Sequence, residues 1–354
     1  MSDGRNLITH SRAQAAKTCL RKHHYLYDLG LRKERTSSPL RMGSVIHHGK
    51  ELMRKGSTAE VAIATALEPY TKVPDGVDPF AWAIEREKCY RLLHAYLHIY
   101  ANDGLTIIAT EQAFELPIIN PETGHASTKF KLAGKIDGVV RLPDNRVAVD
   151  ETKTTGQSID DGADYWQKLR IDEQITRYVY AARMMGHDVS CVHYDVIRKP
   201  GMEPKQIALL DADGMKIVLD SNGVRVMNKN GTPKQAGSAE QGWTLQTRIE
   251  TAQEYGDRLT QDIFERPQFY FARREITRTQ SDIDEFLVEQ WQQQKTIAEA
   301  QNTGRHFKNT GACLSPFKCE FFDVCCSGLK PEIETPQGFK VLENVHPELE
   351  SEGE

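Results

Sequence analysis

The chain has 354 residues, of which 39% are hydrophobic, and carries a formal net charge of -5. This length and composition allow one large globular domain or two smaller ones. No apolar stretch approaches the roughly 20 residues of a membrane span, and residues 1–13 lack the apolar core of a secretion signal. We therefore expect a cytoplasmic protein with no membrane association. The acidic charge argues against a uniformly basic nucleic-acid-binding surface but leaves room for a local basic groove.

Helical patterns dominate the first third of the chain, over about 11–100. Ser11 can cap the start of a first helix, which Gly30 ends. A second helical pattern ends at Gly56, and residues 80–100 predict a further long helix. This part of the chain is predicted to be a helical N-terminal region.

The following segment, about 105–200, combines strand and helix patterns. In chain order it contains strand patterns at 106–117, 130–142 and 147–153, a helix at about 164–185, and a strand at 189–197. This order predicts an α/β core, built as a small mixed β-sheet flanked by helices.

The rest of the chain divides into three parts. Residues 201–245 predict an insertion of short strands and turns, and residues 246–326 predict C-terminal helices followed by a cysteine cluster. The tail, 331–354, holds seven glutamates and little apolar periodicity, so we expect it to be disordered. Residues 1–330 are then predicted to form a single domain.

One short segment, 134–153, has the pattern of a β-hairpin with its turn near Asp144. Asp137 and Glu151 each lie seven residues from that turn, so they should pair across the hairpin with Cβ atoms about 5 Å apart. Alternation along the second strand places Lys153 on the same face as Glu151. Two carboxylates and one ammonium group therefore converge.

Two carboxylates this close disfavour each other's charge unless a cation lies between them. Their oxygen ligands suit Mg²⁺ or Mn²⁺. The alternative interpretation is a surface hairpin with solvated charges. Asp150 competes with Glu151 as a ligand, but alternation with Lys153 favours Glu151 and gives Asp150 a supporting role.

Two further motifs accompany the two that lie in this hairpin, and the four together carry a family resemblance. They are Gly43-Ser44-Val45-Ile46-His47, Gly134-Lys135-Ile136-Asp137, Glu151-Thr152-Lys153 and Gln174-Ile175-Thr176-Arg177-Tyr178. In this order and at these separations they resemble the Gly-x-x-x-His, Gly-x-x-Asp, (D/E)-x-K and Gln-x-x-x-Tyr motifs of RecB-type exonucleases. These belong to the PD-(D/E)XK nuclease superfamily and include CRISPR adaptation nucleases and many phage recombination nucleases. The resemblance covers residues 11–325 and implies a restriction-endonuclease-like core.

The resemblance also implies a metal site. Its ligands would be the side chains of His47, Asp137 and Glu151 and the backbone carbonyl of Thr152. Lys153 would orient the attacking water or stabilise charge on the phosphate. The alternative for His47 is an ordinary solvated or buried histidine, with its neighbour His48 as the ligand instead.

Gln174 and Tyr178 are four residues apart and so share one helical face. By resemblance they contact metal-bound water or DNA and complete the catalytic set. The alternative for Tyr178 is core packing.

The cysteines form a second candidate metal site. Spacings of five residues separate Cys313, Cys319 and Cys325, which is wider than the pairs of a structural zinc site. The resemblance implies a [4Fe-4S] cluster held by these three and Cys19, acting as a structural staple rather than a redox centre. Zinc and four buried thiols are the alternatives, and Cys326 competes with Cys325.

Arg21 and Lys22 are candidate DNA contacts, with a solvated helix face as the alternative. Together these features favour a metal-dependent DNA exonuclease of recombination or repair, leaving 5′-phosphate ends. A phage-type enzyme working with a partner such as a single-strand annealing protein is favoured by analogy, and a CRISPR spacer-acquisition nuclease is the alternative. A DNA-end binding module without catalysis and an iron–sulfur redox protein are the other hypotheses.

Overall fold

The computed structural model describes residues 4–35 and 37–349. Its α-helices are α1 (His10–Thr18), α2 (Leu20–His23), α3 (Ser38–Arg54), α4 (Ala59–Ala66), α5 (Pro79–Ile99), α6 (Asp164–Lys168), α7 (Glu173–Met184), α8 (Ala252–Glu265), α9 (Pro267–Tyr270), α10 (Gln280–Thr303) and α11 (Phe322–Cys326). Its strands are β1 (Leu7–Ile8), β2 (Leu31–Lys33), β3 (Thr106–Ile119), β4 (Ala126–Arg141), β5 (Val147–Thr155), β6 (Val189–Arg198), β7 (Gln206–Ala208), β8 (Val218–Leu219), β9 (Thr244–Leu245), β10 (Thr247–Ile249), β11 (Phe271–Ile276) and β12 (Phe339–Val341).

A six-stranded mixed sheet forms the centre of the molecule, in the order β1-β4-β5-β6-β11 with β3 also paired to β4. Strands β4 and β5 are antiparallel, β5 and β6 are parallel, and β11 closes the edge antiparallel to β6. β3 runs antiparallel to β4 along nearly its whole length. The predicted α/β class with a small mixed sheet is confirmed, and the core strands lie close to their predicted bounds.

Helices cover both faces of this sheet. Buried apolar residues of α1, α7 and α10 form one core with the sheet, and those of α3, α4, α5 and α8 form a second. The helix α7 begins where the Asp172 side chain accepts hydrogen bonds from the backbone N–H groups of Gln174 and Ile175, at 2.8 and 3.2 Å, which satisfies free donors of its first turn. No described helix is long and apolar enough to cross a membrane.

Two expectations from the sequence are wrong in the described part. The strand β11 lies in a segment whose pattern predicts helices, because pairing with β6 from Phe271↔Ile197 to Ile276↔Val192 overrides local preference. The tail is ordered up to residue 349. Its strand β12 pairs with β2, and Val345 and His346 are 0% and 1% exposed, so a few buried contacts hold a segment whose composition predicts disorder.

Candidate active site

The predicted hairpin places Asp137 and Glu151 side by side. The β4–β5 register pairs Gly138 with Asp150 and Val139 with Val149, and its continuation sets Asp137 opposite Glu151. The backbone N–H of Thr152 donates a hydrogen bond to Asp137 Oδ2 at 3.0 Å. The first carboxylate is therefore held against the second strand.

Glu151 is a buried carboxylate with incomplete hydrogen bonding. Its side chain is 2% exposed and is paired with the ammonium of Lys153 through Oε1, while Oε2 has no hydrogen-bond partner among the described residues. Burial and the neighbouring Asp137 raise the pKa of Glu151 to about 8, against the opposing effect of Lys153. Burial acts to lower the pKa of Lys153, whereas the neighbouring Glu151 acts to raise it, and the pKa lies above its usual value. The ammonium therefore stays charged.

His47 extends from α3 toward the same carboxylates. Its Nδ1 lies 3.5 Å from Asp137 Oδ2, whereas Nδ1 of His48 lies 3.7 Å from Glu51. Burial lowers the pKa of His47 to about 4, so the imidazole is neutral at pH 7 and keeps a lone pair free for a metal. The structure thus places His47, and not His48, beside Asp137.

These residues fit a divalent cation. A buried oxygen of Glu151 without a partner, the Asp137 carboxylate and a neutral His47 nitrogen are the donors that Mg²⁺ or Mn²⁺ accepts. The ligand atoms of these three side chains do not all lie within 4.8 Å of one another in the described structure. Thr152 would add its backbone carbonyl.

The carboxylates open into a cavity of about 190 Å³. Gln174 and Tyr178 line it from α7, and Gln174 Nε2 donates to the Tyr178 hydroxyl at 2.9 Å. Tyr178 is also 7% exposed and packs edge-on against Phe114. The ring of Tyr178 therefore belongs to the core, and the residue also lines the cavity.

Two parts of the cavity wall were not predicted. One part is the start of α1, with the capping residue Thr9 followed by His10 and Ser11. The other part is the end of the tail, with Glu348 and Leu349. Neither segment carries a motif, and both reach the cavity through contacts between opposite ends of the chain.

Comparison with known proteins identifies the family of this chain. The family model of the PD-(D/E)XK nuclease superfamily matches residues 7–326. The chain belongs to this superfamily. Among solved structures, this nuclease is similar to the one titled "Crystal structure of SSO0001", at 13% identity and a TM-score of 0.28, covering 90% of this chain and 96% of that one. No curated protein matches the chain.

A buried charge network holds α3 against β5 behind the nuclease site. Lys50 Nζ donates to Asp195 at 2.7 Å and to the Thr152 hydroxyl at 2.8 Å. Asp195 is 0% exposed and also accepts from Tyr96 and Arg273. Because Thr152 follows Glu151, this network fixes the strand position that carries the carboxylate.

Asp150 belongs to the same network, on the opposite face from Glu151. It pairs with Arg54 of α3 and with His193 Nδ1 at 2.8 Å. Burial acts to raise the pKa of Asp150, but these partners hold the pKa below its usual range. His47, Lys50 and Arg54 are spaced three and four residues apart, so one helical stripe bears both the candidate ligand and its supports. That spacing is the sequence signal for Lys50 and Arg54.

The predicted cluster cysteines come together at the other end of α1. The backbone N–H of Asn309 lies 3.4 Å from Cys19 Sγ, and Cys313 Sγ lies 3.7 Å from the Asn309 carbonyl oxygen. The N–H of Cys319 donates to the Cys313 carbonyl at 2.8 Å. Cys325 is half-buried next to Tyr25, and burial raises the pKa of its thiol.

Cys326 is exposed and Cys325 packs inward, which favours Cys325 as the ligand. Among the described residues, no three cysteine sulfurs lie within 4.8 Å of one another.

The two predicted DNA contacts lie beside these cysteines and do not line the catalytic cavity. Arg21 Nε donates to the His306 carbonyl at 2.9 Å, and Lys22 pairs with Glu320 at 3.2 Å. Both side chains therefore serve contacts between α2 and the C-terminal segment. This arrangement favours a structural role.

The buried charge of Glu151 should make stability depend on pH. Its proton is kept up to about pH 8 in the folded state but is lost near 4.5 in the unfolded state, so stability falls as pH rises toward 8. We predict that thermal unfolding of metal-free protein shifts to lower temperature between about pH 6.5 and 8, and that Glu151→Gln lessens the shift. A wild-type curve that is flat there, or the same slope in Glu151→Gln, would contradict the assignment.

The network behind the site gives a second prediction. Asp195→Asn leaves the Lys50 ammonium buried without its anion, which should reduce the free energy of unfolding by about 3–5 kcal/mol in urea titrations. The control is Glu115→Gln, which breaks the half-exposed pair of Glu115 with Lys131 at 3.0 Å and should change stability by less than about 1 kcal/mol. Equal effects in the two variants would show that the network does not hold α3.

Proposed function

We propose that this protein is a metal-dependent DNA exonuclease that hydrolyses phosphodiester bonds and leaves 5′-phosphate ends. The observation that carries the proposal is the convergence of Asp137, Glu151 and Lys153 at one cavity. A neutral His47 lies beside Asp137. Membership of the nuclease superfamily supports hydrolysis, and the cavity supports the finer assignment.

The donor set supports a cofactor of Mg²⁺ or Mn²⁺. A cation held there would acidify a bound water and neutralise charge on the scissile phosphate. Lys153 stays protonated beside Glu151, so its ammonium can bond a phosphate oxygen. Gln174 and Tyr178, bonded to each other at 2.9 Å, present an amide and a hydroxyl to the same space.

The shape of the cavity supports action on ends or single strands. A space of about 190 Å³, walled by Thr9, His10 and Ser11 on one side, receives a single phosphodiester more easily than a continuous duplex. We extend the proposal to recombination or repair in the cytoplasm, in a phage-type setting with a partner such as a single-strand annealing protein. This setting is proposed by analogy with the phage recombination nucleases among the RecB-type exonucleases, which the four motifs resemble.

We also propose that Cys19, Cys313, Cys319 and Cys325 hold a [4Fe-4S] cluster. Contacts that link Cys19 and Cys313 through Asn309, and Cys319 to Cys313, support a shared site, and the family resemblance supports a cluster as its occupant. The cluster would join the first helices to the end of the domain. Its role would be structural, because closing so long a loop lowers the conformational entropy of the unfolded chain.

The catalytic proposal is tested by digestion of end-labelled single- and double-stranded DNA with Mn²⁺. Lys153→Ala should lose cleavage by at least about a hundredfold, because an ammonium aimed at developing charge contributes on the order of 3 kcal/mol. Lys131→Ala removes a lysine of the same sheet outside this cavity and should cleave like wild type. Full activity in Lys153→Ala would refute the proposal, and so would the absence of cleavage by wild-type protein that binds Mn²⁺.

The cluster proposal is tested by anaerobic purification of Cys325→Ser and Cys326→Ser. The first should lose bound iron and sulfide and the visible absorption of the cluster, and the second should retain both. Loss of iron in Cys326→Ser but not in Cys325→Ser would identify Cys326 as the ligand in place of Cys325. Zinc without iron in the wild-type protein would refute the cluster.

A further inference from the structure

The acidic tail returns to the catalytic cavity after crossing the helical N-terminal region. Strand β12 pairs antiparallel with β2, with Phe339 opposite Lys33 and Val341 opposite Leu31. Eight residues later, Leu349 lines the cavity together with Glu348. The tail therefore spans from a side sheet to the catalytic residues.

Specific contacts anchor this path. The N–H of Leu342 donates to the Gly30 carbonyl at 2.9 Å, and a Cβ on Gly30 would lie 2.3 Å from the Leu342 oxygen. Only glycine admits the tail so closely, and Gly30 has a φ of +72°. Further along, Arg32 donates to the Val345 carbonyl at 2.9 Å, and Val345 itself is fully buried.

The last anchored residue is His346, which is 1% exposed. Its Nε2 lies 3.1 Å from the Leu7 carbonyl oxygen, and its Nδ1 lies 3.1 Å from a carboxylate oxygen of Glu348. The buried histidine thus orients the glutamate that follows it.

Glu348 meets the start of helix α1 inside the cavity. The hydroxyl of Thr9 donates to Glu348 Oε1 at 3.0 Å, and Thr9 caps the helix whose first residues, His10 and Ser11, form the cavity wall. A helix N-terminus attracts anions. A tail carboxylate therefore occupies a position that suits a phosphate, in the wall of the cavity that Lys153 and Asp137 also line.

The charge of the tail reinforces this competition. After Lys330 the chain carries seven glutamates against one lysine, and four of those glutamates fall in its last seven residues. A phosphodiester backbone approaching the same cavity has the same sign of charge, so DNA and tail repel each other.

We propose that the tail segment from Phe339 to Leu349 is an autoinhibitory strap, which holds Glu348 in a phosphate position of the nuclease cavity and is displaced when DNA enters. This inference rests on the proposed function, because it takes DNA to be the occupant of the cavity. The catalytic residues stay in place under the strap, and only access to them changes.

The first test is the binding of a fluorescent single-stranded oligonucleotide in the Lys153→Ala background, where cleavage does not interfere. Deleting residues 347–354 removes Glu348 but keeps the buried anchors Val345 and His346. The deletion should tighten binding several-fold at low salt, with a smaller gain at high salt because charge repulsion is screened. In the Lys153-containing enzyme it should lower KM without changing kcat.

Point variants keep the test independent of any effect of the deletion on folding. Glu348→Lys should also tighten DNA binding, whereas Glu343→Lys, which makes the same charge change at an exposed glutamate of the same tail, should leave binding unchanged. A peptide of residues 343–354 added to the deletion variant should restore inhibition competitively, and a scrambled peptide should not.

Unchanged or weaker DNA binding in both the deletion and Glu348→Lys would overturn the strap. Equal gains in Glu348→Lys and Glu343→Lys would also overturn it, since net charge alone would then explain the effect. Tighter binding in protein that never cleaves DNA would support the strap while refuting the nuclease.

Discussion

The burial of Glu151 beside Asp137 is the constraint on which the rest of this nuclease depends. A carboxylate that is 2% exposed, with one oxygen lacking a partner among the described residues, disfavours its own ionisation. Lys153 compensates part of that cost at one oxygen, and the other is left for a cation. A cation bound at that oxygen would offset the cost of the buried charge.

Holding that arrangement requires rigidity from the far side of the sheet. Lys50 and Arg54 of α3 bond the Thr152 hydroxyl from behind, so the strand that carries Glu151 and the helix that carries His47 move as one unit. A buried charge network is a costly way to fix two elements, because each ion must be desolvated. Because the network lies directly behind the candidate metal site, we infer that it serves to fix the positions of the candidate ligands rather than to stabilise the fold.

Much of this site could be predicted from the sequence, because it is encoded locally. The turn at Asp144 sets the hairpin register, so counting residues suffices to pair Asp137 with Glu151. What escapes prediction depends on distant contacts: Lys50 meets Asp195 across 145 positions, and Thr9 meets Glu348 across 339. Composition predicted a disordered tail because a few buried residues, such as Val345, weigh little in an average.

The central claim is that Glu151, Asp137 and His47 form one divalent-metal site. Calorimetric titration of Mn²⁺ into the protein at pH 7, repeated in buffers of different ionisation enthalpy, tests it most directly. We predict one site per chain that is lost in Asp137→Asn, with release of about one proton as Glu151 ionises on binding. Binding that survives Asp137→Asn, or that releases no proton, would contradict the account.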